Sequence, residues 1–264
     1  GVYYDPYGGY EDLQRKRICA VGEPKSRLSE DALRILRTYR FMDQGVAGVW
    51  KPERALANAL RSTRSMLSKI APERIWSEFK RILVGKNASY ILQQMADDGV
   101  LRQIFEFDWM LDDYRISSLD RLDGNDVLDR LVVLFRDAPL ETCEEVCRTL
   151  KLSNKEKKTL SFRHSCLGHV PELLDSSLRI HQFVLGEWAL QHLKIETLFA
   201  PLNQNRYSKD EIEQRISRNR TLMSNKSSKP LATGEWIMAQ TNMRQGPKLG
   251  ALKNWLHREQ IARN

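Results

Sequence analysis

From Leu13 onward the chain is written almost entirely in the period of an α-helix. Apolar residues recur three and four positions apart, and the alternating pattern of a half-buried strand is almost absent after residue 20. Helical pattern covers 29–43, 51–69, 72–84, 88–98, 100–105, 126–136, 140–151, 153–165, 178–192, 209–222 and 247–259, joined by short loops. A chain of this kind cannot fold as a sandwich or a barrel, and the predicted class is all-α. The first ten residues differ. VYY reads as a short strand-like run and DPYGG as a turn.

Composition narrows the setting. With 264 residues, 41% of them hydrophobic, the chain can bury a core, and it is long enough for two or three subdomains. A net charge of +8 favours polyanionic partners, nucleic acid first. Four scattered cysteines without a signal peptide point to a reducing compartment, read as the cytoplasm. No apolar run approaches the ~20 residues that span a bilayer. The first residue is Gly rather than Met, which reads as a piece of a longer protein or a processed chain.

The stretch SEDALRILRTYR, residues 29–40, gathers its charges unusually. On a helical wheel Glu30, Asp31, Arg34 and Arg37 share an arc of about 120°. Ala32, Leu33, Ile35, Leu36 and Tyr39 take the opposite arc. The expectation is one helix over 29–43, capped by Ser29, with Glu30 and Asp31 in its first turn. Glu30–Arg34 and Asp31–Arg34 then become i,i+4 and i,i+3 pairs. Taken alone, these are ordinary ion pairs on a wet helix face.

The flanks change that reading. DPYGGYEDLQRKRICAVGEPKSRLSEDALRILRTYRF resembles the signature of the class II tRNA nucleotidyltransferases, the CCA-adding enzymes and their poly(A) polymerase relatives. Asp5, Pro6, Gly8, Gly9, Asp12, Leu13, Ile18, Val21, Gly22, Pro24, Arg27, Glu30, Asp31, Leu33, Arg34, Leu36, Arg37, Arg40 and Phe41 match it. Cys19 stands where Arg is usual and Leu28 where Phe is usual. APERIWSEFKRIL, with Glu73, Arg74, Ile75, Glu78 and Lys80, is similar to the next motif of the family. PLATGEWIMAQTNMRQGPKLGALKNWL, 230–256, is similar to its C-terminal segment.

The resemblance implies an elongated neck, body and tail, with a short strand and turn remnant of a head at the N-terminus. The implied divisions are 1–20 for that remnant and hinge, 21–100 for the neck, 101–200 for the body and 201–264 for a tRNA-binding tail. It also implies a protein that selects CTP and ATP without a nucleic-acid template and binds tRNA for 3′-CCA addition. Base chemistry shows how two side chains suffice. Cytosine and adenine both present an amino donor beside a ring-nitrogen acceptor, whereas uracil and guanine present the reverse. An ionised Asp31 accepts from the amino group and Arg34 donates to the ring nitrogen, with Glu30 bracing Arg34. For U or G both contacts fail, at about 1–3 kcal/mol each. Arg37 is placed near the base or the triphosphate. Asp5, Gly8 and Gly9 form the hinge, where glycine tolerates backbone angles other residues resist. Arg244, Gly246 and Lys248, at the start of the last helix, are placed against RNA phosphates. The 73–80 motif is read mainly as structure.

Nucleotidyl transfer needs metal-bound carboxylates. In the family these lie in the head, on a Gly-Ser motif and a D-x-D pair. No such motif stands in this sequence, so the chain offers no catalytic residues and no metal site of its own. Mg2+ is expected only in the head, whether in the same or a separate polypeptide, and the chain alone is expected to be inactive. Cys143 and Cys147, with HSCLGH at 164–169, sketch a zinc site, but buried cysteine on an apolar face is the simpler reading. His181 and His192 are placed on separate parts of one apolar helix, without a partner. The alternatives are a poly(A) polymerase or A-adding relative, and a non-catalytic helical RNA-binding module. A helix-turn-helix DNA binder is disfavoured because no tight turn with a recognition helix stands out.

Overall fold

The computed structural model describes residues 4–105, 113–122, 126–202, 207–222 and 229–263. The all-α expectation holds: among these residues the only strands are two of two residues each. The chain forms two compact units, Gly1–Ser165 and Cys166–Asn264.

The first unit runs α1 (Gly9–Gln14), β1 (Arg17–Ile18), α2 (Pro24–Glu30), α3 (Leu33–Met42), β2 (Lys51–Pro52), α4 (Arg54–Thr63) and α5 (Pro72–Leu83). It continues through α6 (Ala88–Asp97), α7 (Val100–Phe105), α8 (Asp113–Arg121), α9 (Val127–Leu134), α10 (Leu140–Thr149) and α11 (Asn154–Cys166). The strands pair in parallel, with Arg17 opposite Lys51 and Ile18 opposite Pro52. Part of the VYY run lies outside the described residues. So do Asp112, the centre of DRLDGND and parts of both polar stretches at 200–211 and 224–235.

Two helices fix the candidate site. In α3 one face, Leu33, Ile35, Leu36, Tyr39 and Met42, is buried. It packs on α5, which begins with Pro72 at its first position, has Glu73 in its first turn and ends on Lys80 and Arg81. Each feature suits the helix end where it sits. The buried face of α5 is Ile75, Trp76, Phe79, Ile82 and Leu83, with one acid among them, Glu78. Phe79 meets Phe105 of α7 edge-on, ring centroids 5.6 Å apart. Burying such a ring contributes several kcal/mol and ties α5 to α7.

The second unit holds α12 (Asp175–Leu185), α13 (Ala189–Phe199), α14 (Lys209–Leu222), α15 (Gly234–Thr241) and α16 (Pro247–Arg263). Here α13 packs on α14, and α12 packs on both α14 and α16. The single helix expected over 178–192 is two helices. Gly186, at φ +56°, ends α12 in a backbone region that favours glycine. Periodicity alone does not reveal such a break. No helix among the described residues is long and apolar enough to cross a membrane.

Candidate functional site

The acidic–arginine stretch is not one helix. The helix α2 ends at Glu30, Asp31 is extended at φ −147° and ψ 101°, and α3 starts at Leu33. Ser29 therefore lies inside α2, whose start is capped by Glu23 accepting from the N–H groups of Lys25 and Ser26. The break has a local cause. The Asp31 carboxylate accepts the Leu33 N–H at 3.2 Å and its carbonyl accepts the Arg34 N–H at 3.0 Å. Aspartate competes with the helix ladder in this way and starts a new helix instead.

Glu30 is thus in the last turn of α2, where the helix dipole disfavours an acid. Two arginines offset this. Arg27 Nη1 and Arg34 Nη1 lie 2.6 and 2.9 Å from Glu30 Oε2. They hold the Glu30 carboxyl below the usual carboxylate range, the Arg34 bond contributing most. Arg34 Nη1 also donates to the Arg27 carbonyl at 2.8 Å. The brace expected between Glu30 and Arg34 is present. It pins one corner of the guanidinium and leaves Nε and Nη2 without a partner among the described residues.

Asp31 and Arg34 do not form the expected i,i+3 ion pair, because Asp31 is off the helix that carries Arg34. Its partner is Arg74 of α5, whose Nη2 lies 3.2 and 3.4 Å from the two carboxylate oxygens. Arg37 Nε donates to Glu78 Oε1 at 3.3 Å. Arg40 Nη1 lies 3.0 Å from Glu78 Oε2, close enough for an ion pair but outside hydrogen-bond alignment. Glu78 is only 6% exposed, whereas Asp31, Arg34 and Arg37 are 26, 34 and 44% exposed. The 73–80 motif is therefore more than a packing helix. Arg74 and Glu78, one turn apart, hold Asp31, Arg37 and Arg40 from behind. The sequence carried a signal for this: an acid set among the apolar positions of α5 must find a cation.

At the N-terminus, the Asp5 carboxylate accepts the Gly9 and Tyr10 N–H groups at 2.8 and 2.9 Å. These bonds, Tyr10 first, hold its carboxyl below the usual range. Gly8, at φ +70°, makes the reversal into α1. Asp5, Gly8 and Gly9 thus form one capped turn. In the second unit Arg244, Gly246 and Lys248 are exposed around the start of α16. The Gly246 carbonyl accepts the Gly250 N–H at 3.1 Å, and neither cation has an ion-pair partner among the described residues.

The remaining candidates resolve structurally. Cys143 and Cys147 are buried in α10, and burial pushes the Cys143 thiol up to about 12. His164 and His169 donate to the carbonyls of Phe135 and Leu167. No group of three His, Cys, Asp or Glu that could hold a metal ion occurs among the described residues. The expectation of partnerless histidines fails: His181 Nε2 and His192 Nδ1 are 3.0 Å apart across α12 and α13. Residues eleven apart in sequence meet because Gly186 turns the chain between them.

A family described as "Probable RNA and SrmB-binding site of polymerase A" matches residues 51–108. Over 100 residues, 38% of the chain, the sequence is 38% identical to the mitochondrial CCA tRNA nucleotidyltransferase 1 of Danio rerio. Over the same length it is 38% identical to the CCA-adding enzyme of a Geobacillus species. These matches span only 23 and 24% of the relatives' own lengths. Among solved structures, the fold is similar to the CCA-adding enzyme of Bacillus stearothermophilus in complex with CTP, with a TM-score of 0.77 at 20% identity. That likeness covers 98% of this chain and 64% of the other. A CCA-adding enzyme of Thermotoga maritima complexed with tRNA is similar at a TM-score of 0.61 and 15% identity, covering 98 and 63%. At such identities the likeness is one of fold. The chain thus spans about a quarter of the length of the curated relatives it matches, and over that stretch its sequence is similar to CCA-adding enzymes.

Proposed function

We propose that this chain is the neck, body and tail of a CCA-adding tRNA nucleotidyltransferase. In this reading Asp31 and Arg34 select CTP and ATP, and the helical remainder holds the tRNA. The observation that carries the reading is the way the charges are held. Asp31, Arg34 and Arg37 stay partly open to solvent, while Arg74, Glu30 and Glu78 hold each of them from another direction. A purely structural ion-pair network has no need to leave the Nε and Nη2 edge of Arg34 unpaired. An incoming base with an amino donor beside a ring nitrogen satisfies a carboxylate and a guanidinium edge together, and the reversed pattern of uracil or guanine satisfies neither. The relatives, named as CCA-adding enzymes, and the solved structures holding CTP or ATP support the substrate class.

Arg37, tied to Glu78 by one long bond, takes the base or the triphosphate. Asp5, Gly8 and Gly9 serve as the hinge to a head, and Arg244, Gly246 and Lys248 contact RNA phosphates. Mg2+ belongs to carboxylates of a head, in the same or a separate polypeptide. The described residues offer no such cluster, so no metal-dependent step is assigned to them. The 264 residues alone bind but do not catalyse. The protein acts in the cytoplasm.

The test joins the chain to a catalytic head and supplies tRNA lacking its 3′ CCA. C and then A are added by the parent protein, and Asp31→Ala admits U and G. Addition of A alone points instead to a poly(A) polymerase or A-adding relative. Unchanged nucleotide choice in Asp31→Ala rejects the assignment of this residue. A helical RNA-binding module is the second reading, favoured by the family description matched at 51–108. It predicts tRNA binding with no nucleotide preference.

A further inference from the structure

The parallel ladder between β1 and β2 brings two cationic segments side by side. The Lys51 N–H donates to the Lys16 carbonyl at 3.1 Å and the Glu53 N–H to the Ile18 carbonyl at 2.9 Å, which fixes their register. An open pocket of about 500 Å3 lies against them, lined by Arg15, Lys16, Arg17, Lys51, Glu53 and Arg54. Two of the five cations are neutralised: Arg15 pairs with Glu11 at 2.5 Å and Arg17 with Asp12 at 2.7 Å. Lys16, Lys51 and Arg54 have no ion-pair partner among the described residues, and the only carboxylate in the lining is Glu53.

Lys16, at φ +51°, stands just past the C-cap of α1, where helices commonly close in the left-handed region. Three cations without an ion-pair partner among the described residues, set around one concavity, point to a ligand that supplies negative charge. Arginine and lysine converging on one concavity match phosphoryl oxygens, the arginine by its planar fork and the lysines as point charges.

We infer that the pocket formed by Lys16, Lys51 and Arg54 at the β1–β2 edge binds phosphoryl groups, and that an RNA backbone supplies them. The RNA-binding family match begins at Lys51, one of the three cations, whereas Arg15, Lys16 and Arg17 lie outside it. The site is separate from Asp31 and Arg34 and does not depend on nucleotide selection there. Phosphate contacts of this kind position an RNA without reading its sequence.

The experiment is amine footprinting of the intact chain, with acetylation of each lysine read by mass spectrometry. The probes are an unmodified tRNA transcript and inorganic tripolyphosphate, with exposed Lys25 as the reference. The expected result is several-fold protection of Lys16 and Lys51 by the transcript. Protection by tripolyphosphate and not by the transcript keeps the pocket as a phosphoryl site and identifies free polyphosphate as its source. Equal reactivity of both lysines with and without either probe overturns the inference. A second measurement follows RNA affinity against salt in Lys16→Gln/Lys51→Gln/Arg54→Gln. Loss of three phosphate contacts flattens the log–log salt dependence by about 2. An unchanged slope in a variant with parental circular dichroism rejects RNA as the source.

Discussion

Two regions of the molecule, one in each unit, handle buried charge in opposite ways. Around α3 and α5 the ionic groups sit at the surface, and only Glu78 is sunk into the core, with two arginines reaching it from solvent. Around α12 and α13, His181, His192 and Glu196 are all buried, and their bonds close inward. His192 Nε2 donates to the Cys166 carbonyl at 2.9 Å, and Glu196 accepts the Gly168 N–H at 2.7 Å. With that bond fixing the neutral tautomer of His192, its Nδ1 accepts from His181 Nε2, and His181 Nδ1 is left buried without a partner. One network leaves polar edges open to solvent, as a binding surface requires. The other is closed off from solvent and holds helices together.

The comparison sharpens first under acid. Burial, aided by the neighbouring His192, lowers the His181 pKa to about 3 from an ordinary 6.5. The unfolded chain therefore binds the proton more readily than the folded one. Stability contributed by neutral His181 is full above about pH 6.5 and falls as pH drops toward 3, by up to ~1.4 kcal/mol per pH unit. Amide exchange in α12 and α13 should accelerate over this window, and His181→Gln, which keeps a donor but does not titrate, should remove much of the slope. Matching slopes in parent and variant would break the contrast from the second unit's side.

Glu78→Ala attacks the other side. It removes the anion held between Arg37 and Arg40, at a cost of about 2 kcal/mol. That is less than the 3–5 kcal/mol for a fully buried pair, because both arginines can turn to water. Urea denaturation measures the loss. A smaller effect is expected from Arg74→Ala. Its pair with Asp31 is half-exposed, so stability should change by under ~1 kcal/mol. Preference for CTP over UTP should nevertheless fall, because Asp31 stands off the helix and loses the group that orients it. A stability loss with unchanged preference would make Arg74 structural only.

The all-α class was legible in the sequence because periodicity reports burial directly, and α5 shows it best: Pro72, Glu73 and the apolar face predict both its ends and its packing. The residues of the candidate site were legible through their motif, but their geometry was not. Helical-wheel reasoning assumes one continuous helix, and Asp31 breaks that assumption by bonding the Leu33 N–H. The arc that grouped Asp31 with Arg34 therefore does not exist, although Glu30 and Arg34 still meet. Contacts to Arg74 and Glu78 join residues some forty positions apart, which no local pattern encodes. The same holds for His181 and His192, brought together by the turn at Gly186.

Whether Asp31 and Arg34 read a base edge is tested most directly by equilibrium binding of CTP, ATP, UTP and GTP to the 264-residue chain. CTP and ATP should bind more tightly than UTP and GTP, by a factor of roughly 5–150 for each unpaired group of about 1–3 kcal/mol. Asp31→Ala should erase the difference while leaving the fold intact. Equal affinity for all four nucleotides, or a preference that survives in Asp31→Ala, would contradict it.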